Sequence, residues 1–244
     1  MTAKEWRQIN SALRNERCIL FLGPGVSQAL AKNTWQPLHQ LFTQYLVEEL
    51  EAEGMSYDQQ LVHSMPYMVS CFMKIEGVMD TDPADEARAF YKRHSKKIPP
   101  TLQQLAQLPF SLIINTSPDD LMVKALKEVG KFQVNHNYYN FRRANKNETI
   151  PAFSSDEPLV FNLCGYFDDA DSLIITEKDK SRFLKNIARN EPRVPTEITS
   201  RFDSRTFYLL LGFDLEDWKY KLLFDTLHLD DNLSAIVPSS EVFN

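Results

Sequence analysis

Glycine is scarce in this chain, with 7 in 244 residues. That rules out a glycine-rich or low-complexity polymer and makes the position of each glycine informative. Cysteine is scarcer still. Cys18, Cys71 and Cys164 are an odd, widely spaced set that forms neither a disulfide framework nor a CxxC zinc site, so a reducing, cytoplasmic setting is expected. No apolar run approaches the ~18 residues of a membrane span. The opening segment MTAKEWRQIN is polar and lacks the apolar centre of a signal peptide, so no membrane association is expected. An excess of positive charge is also missing. With 27 basic against 33 acidic residues the net charge is −6, which argues against a basic nucleic-acid-binding module. The five histidines (His39, His63, His94, His136 and His228) show no HExxH-type spacing, and no GxSxG elbow occurs, so neither a metal nor a hydrolase triad is expected.

What the chain does hold is an ordinary globular composition, 43% hydrophobic and 25% charged, over a length that suits one domain covering residues 1–244. Residues 4–14 read as an amphipathic helix. Cys18 to Leu22 is wholly apolar and is stopped by Gly23-Pro24-Gly25, as a buried central strand would be. A turn through Ser27 and Lys32 leads to a helix from Pro37 to Leu50, with further helices expected over 58–79 and 83–94. Further strands are expected at Phe110 to Ile114, Leu159 to Leu163, Ser172 to Ile175 and Phe207 to Leu211. Ser117 reads as a helix N-cap followed by Pro118, with Asp119 and Asp120 in the first turn. Thr176 with Asp179 reads as a capping box, and residues 142–157 as the principal loop. Apolar strands alternating with helices imply an α/β fold whose parallel sheet is covered by helices on both faces.

Four strands end in small or polar clusters: Gly23 to Ser27, Asn115 to Ser117, Cys164-Gly165 and Gly212 to Asp214. In a parallel sheet these loops share the carboxyl edge, where ligands are read. The first loop departs from the dinucleotide fingerprint, because Gln28 stands where a third glycine belongs. Its charge context strengthens it, since no acid occurs from Arg17 to Val47. The helix start that follows is expected to keep its amides and positive dipole end free for phosphate. Groups for conventional catalysis are few. His136 lies among amides and aromatics, and Asp119-Asp120 and Asp168-Asp169 are turn carboxylates.

Leu20 to Ser27 (LFLGPGVS), with Trp35 soon after, resembles the glycine-rich opening of sirtuin-like domains, especially the bacterial antiphage-defence group. Ile114 to Leu126 (INTSPDDLMVKAL), Leu163 to Asp179 (LCGYFDDADSLIITEKD) and Leu210 to Trp218 (LLGFDLEDW) resemble later motifs of that group, in order. The resemblance implies a Rossmann-like parallel sheet with a helical insertion over about 36–105. It also implies a ligand of the NAD or ADP-ribose type. Gly23, Gly25, Val26, Ser27, Thr116, Ser117, Gly165, Gly212, Phe213 and Asp214 are then the expected ligand contacts. In the family an asparagine orients the ribose chemistry and a histidine serves as base. Here Ser117 occupies the asparagine position, Pro118 the aromatic position and Cys164 the histidine position, with Asn115 two residues early.

The expectation is a nucleotide-binding domain with degenerate catalysis, acting as a sensor, regulatory or assembly module in bacterial defence, as a homo-oligomer or as part of a longer polypeptide. The first alternative is an active NAD hydrolase using Asn115, Asp119, His136 or Cys164. The second is a protein-interaction scaffold, for which the methionines at 55, 65, 68, 73 and 79, with Tyr57, Tyr67 and Phe72, supply either an interface or a plastic core.

Overall fold

A computed structural model describes residues 3–143, 150–203, 205–214, 216–227 and 229. The expected loop over 142–157 lies partly outside these residues, and the apolar run Ser234 to Val237 lies wholly outside them.

Helix α1 (Ala3–Arg14) leads into β1 (Cys18–Leu22). A hairpin of β2 (Gln28–Ala31) and β3 (Thr34–Pro37) then precedes α2 (Leu38–Ala52). Helices α3 (Met65–Phe72), α4 (Asp82–His94) and α5 (Pro100–Ala106) follow, then β4 (Leu112–Asn115), α6 (Leu121–Glu128), β5 (Asn135–Tyr138) and β6 (Leu159–Asn162). Helices α7 (Glu177–Arg189) and α8 (Thr196–Thr199), strand β7 (Phe207–Leu211) and helix α9 (Trp218–Thr226) complete the described chain. The main sheet has the order β5-β6-β4-β1-β7 and every pairing in it is parallel. With helices on both faces it is an α/β, Rossmann-like sheet.

Alternation along the strands divides the core in two. Leu20, Leu22, Ile113 and Val160 pack with residues of α1 to α6, whereas Ile19, Phe21, Leu112, Ile114, Phe161, Tyr208 and Leu210 pack with α7, α8 and α9. Most of the methionine-rich region belongs to the first core. Met68 and Phe72 are buried there, Met55, Met65, Met73, Tyr57 and Tyr67 pack against it, and only Met79, 65% exposed, stands out.

Several expectations are corrected. Ser172 to Ile175 forms no strand. Leu173 and Ile175 are buried as an apolar run requires, but the carbonyls of Asp171 and Leu173 are bonded by the Arg142 guanidinium instead of a neighbouring strand. The helix after β4 begins at Leu121, not Pro118. Asp119 and Asp120 therefore precede it, and the Asp119 carboxylate accepts from the Leu121 amide at 2.9 Å. The segment between Gly25 and α2 is a hairpin, turned by Lys32 and Asn33, both left-handed at φ 49° and 63°. The capping box of α7 forms as expected, with Thr176 Oγ1 accepting from the Asp179 amide and Asp179 Oδ2 accepting from the Thr176 amide.

Candidate functional site

Strand β1 sends the chain to one face of the sheet and its neighbour β7 sends it to the other, so their loops meet at the topological switch point. The glycines are spent on that meeting. A Cβ on Gly23 would lie 2.3 Å from the Gly212 carbonyl oxygen, and one on Gly212, itself at φ 77°, would lie 2.8 Å from the Val26 nitrogen. The Gly23 amide donates to Leu211 O at 2.7 Å, Gly25 to Gly212 O at 3.0 Å and Val26 to Gly23 O at 3.3 Å. The expectation of a free amide cradle in this loop is therefore corrected. These amides close the loop against the end of β7, and the acid-free interval serves the start of α2 at Leu38 instead. Pro37 gives that helix no side-chain cap, and its first turn carries no acid.

A second polar cluster is built on β4 and β6, where Asn115 and Asn162 stand side by side in register. Asn115 accepts from the Ser117 amide at 3.0 Å and donates to Asp119 O at 3.3 Å. Asn162 donates to Ser117 O at 3.0 Å and to Asp119 O at 2.8 Å, and its Oδ1 lies 3.1 Å from His136 Nε2. Thr116 donates twice to Leu22 O, through N and Oγ1, both at 2.9 Å. Asn115, Thr116 and Ser117 thus hold the loop in place, and the Asn115 amide is consumed in doing so.

Asp119 is fully buried beside the hydroxyls of Ser117 and Ser27, and its Oδ2 has no hydrogen-bond partner within bonding geometry among the described residues. Burial drives its carboxyl above the usual range, opposed by the hydroxyls and the Leu121 amide. His136 lies edge-on to Tyr166 at 4.7 Å, and burial lowers its pKa against the raising effect of Asn162.

Because the unfolded imidazole titrates near its ordinary 6.5, the unfolded chain takes up protons that His136 in the fold resists. Stability is therefore present above that value and falls as pH drops through it. His39 and His94 are shifted the same way. His136→Gln is expected to flatten, without abolishing, the loss of melting temperature between pH 7.5 and 5.5. A wild-type slope in the variant would refute the assignment.

Cys164 follows β6 at the carboxyl edge, and burial pushes its thiol up to about 12. Gly165, at φ 90°, packs so closely on Ser172 that a Cβ would lie 2.1 Å from that carbonyl oxygen. Phe213 packs its ring on Tyr220 at 5.0 Å and on Phe224 at 5.2 Å, and exposed Asp214 accepts from the Glu216 amide at 3.0 Å. The structure thus brings Gly23, Gly25, Val26 and Gly212 together at the switch point. Asn115, Ser117, Asp119 and His136 gather in the network centred on Asn162, a residue that sequence reasoning passed over. Its signal was an amide ending an otherwise apolar strand.

Among the described residues no group of three or more His, Cys, Asp or Glu is placed to hold a metal ion, and no helix is long and apolar enough to cross a membrane. Comparison with curated proteins finds no match. The matched family span opens at Ser111, just before β4, and takes in the polar network, Cys164-Gly165 and the β7 loop. On that match, over residues 111–240 and more than half of its length, the chain belongs to the SIR2-like domain family.

Proposed function

We propose that this chain binds a nucleotide of the NAD or ADP-ribose type over the carboxyl edge and does not cleave it efficiently. Family membership and the meeting of the β1 and β7 loops at the switch point support the binding half of this reading. The residues fit such a ligand. The start of α2 has no side-chain cap and no acid in its first turn, which suits an anion, although its Leu38 amide already donates to Ser27 O at 2.8 Å. Gly25, Val26 and Ser27 would form the wall on one side, with Gly165 and Gly212 to Asp214 on the other.

The observation that carries the catalytic half is Cys164. Burial pushes this thiol up to about 12, which leaves little thiolate at neutral pH and makes it a poor base or nucleophile. Loss of one general base costs ~10²–10⁴ in rate. The other candidates offer no substitute: Asn115 has spent its amide, His136 faces Asn162, and Asp119 is fully buried. A domain that reads a nucleotide without consuming it suits a sensor, regulatory or assembly role in bacterial antiphage defence, as a homo-oligomer or within a longer polypeptide. Mixing the protein with NAD and following binding and nicotinamide release together is the test, and rapid release would overturn the reading.

A further inference from the structure

Helix α4 carries its outward charges in mirrored order. Asp85 and Glu86 stand four and three residues before Ala89, and Lys92 and Arg93 stand three and four residues after it. At 3.6 residues per turn all four fall within about 60° of Ala89 around the helix axis, so they form a single stripe. The other side of the helix holds the buried Pro83, Ala87, Phe90 and Tyr91. Asp85, Ala89, Lys92 and Arg93 are exposed. Glu86 is half-buried, and its Oε2 accepts from the Tyr45 hydroxyl at 2.8 Å.

Among the described residues none of Asp85, Glu86, Lys92 or Arg93 takes part in an ion pair. Arg88, off the stripe, meets Asp168 at 3.4 Å. Lys96 and Lys97, both exposed, extend the basic end beyond the helix. Acids at a helix start and bases at its end also suit the helix's own dipole. That effect is confined to the terminal turns, however, and asks neither for Glu86 in the second turn nor for equal spacings about one small residue.

We propose that this stripe is a self-docking surface, on which a second copy of the chain lays its own α4 antiparallel, crossing at Ala89. About a two-fold axis there, a residue before Ala89 meets the one equally far after it on the other copy. Asp85 then faces Arg93 of the partner subunit, and Glu86 faces Lys92 of the partner subunit, each pair occurring twice. The small Ala89 side chain lets the two helix axes approach to about 8 Å. One pair of crossing helices buries less than a standard interface, and its exposed ion pairs are screened, so the dimer is weak and salt-sensitive. This inference gives the homo-oligomer reading above a surface and does not depend on nucleotide binding.

The test is sedimentation equilibrium of the full chain, at up to about 0.5 mM because the interface is small. Wild type, Asp85→Arg, Arg93→Glu and Ala89→Arg are compared at low and high salt. Wild type is expected to dimerise at low salt and to weaken at least ~10-fold at high salt. Asp85→Arg and Arg93→Glu should each weaken the dimer by about 10–100-fold, since like charges then meet twice across the axis. Ala89→Arg should do the same by placing bulk and charge on the axis itself. An equimolar mixture of Asp85→Arg and Arg93→Glu should associate again, because their stripes carry opposite net charge. Melting temperature identifies a charge reversal that fails to fold, and in that event Ala89→Arg, at an exposed position, decides. A wild type that stays monomeric at low salt overturns the proposal, as does wild-type association in Ala89→Arg or a mixture no tighter than its components. A monomeric wild type that instead binds a DNA duplex through Lys92 and Arg93 assigns the basic end to a polyanion and overturns it too. Nucleotide binding by a monomeric wild type leaves the reading above standing.

Discussion

Gly165→Ala is expected to cost roughly 3–5 kcal/mol and to lower the melting temperature by about 6 °C or more. Two penalties coincide at this position. The backbone is left-handed at φ 90°, and the added carbon would stand 2.1 Å from Ser172 O and 2.7 Å from Ser172 C. Neither neighbour is the end of a flexible side chain, and Ser172 is itself fixed, its Oγ donating to Asp169 O at 2.7 Å and accepting from the Tyr166 amide at 2.8 Å. Relief therefore requires movement of the segment that carries Cys164. Gly130 provides the control. It is equally left-handed at φ 90° but has nothing within 4 Å of an added carbon, so Gly130→Ala should cost only ~1–2 kcal/mol. Similar losses for both variants, measured by thermal or urea denaturation, would show that close packing at Gly165 contributes nothing.

Asn162→Leu should cost about 2–4 kcal/mol, although leucine preserves volume and apolar character in a buried strand. The cost comes from what the amide leaves behind. Ser117 O loses its donor, Asp119 O keeps only the longer 3.3 Å bond from Asn115, and His136 Nε2 loses its partner. Buried polar groups stripped of partners are penalised far more than a surface hydrogen bond. Because those carbonyls fix the turn over which a ligand would pass, nucleotide affinity should fall with stability. Asn162→Leu melting within about 1 °C of wild type would contradict the network.

The contrast between Asn162 and its neighbours shows what was legible in the chain. Strands β1, β4, β6 and β7 are read from sequence because they are buried on both faces and therefore almost wholly apolar. Strand β5, Asn-His-Asn-Tyr, is an edge strand with every residue half-buried, and its polar composition hides it. The β2–β3 hairpin escapes notice for a similar reason. Its Gln, Ala and Thr residues do not alternate clearly, and its turn uses Lys32-Asn33 without the usual glycine. The opposite error, at Ser172 to Ile175, arises because burial alone does not make a strand. The Arg142 guanidinium satisfies carbonyls there that a sheet neighbour would otherwise take.

For the site, the residues after each strand are readable, but their use of one another is not. That Gly212 O would fill the space under Gly23 and take the Gly25 amide depends on two loops nearly the whole chain apart. Cys164 is the exception. Its position at the end of β6 and its poor chemistry as a base are both visible in sequence, and burial in the structure sharpens the second.

Recognition of a nucleotide without its cleavage can be followed by proton NMR of NAD mixed with the protein at comparable concentrations. Bound NAD is expected to show broadened or shifted adenine and nicotinamide resonances, with no free nicotinamide accumulating over hours. Sharp, unshifted NAD signals would contradict the binding half, and the steady appearance of nicotinamide would contradict the other.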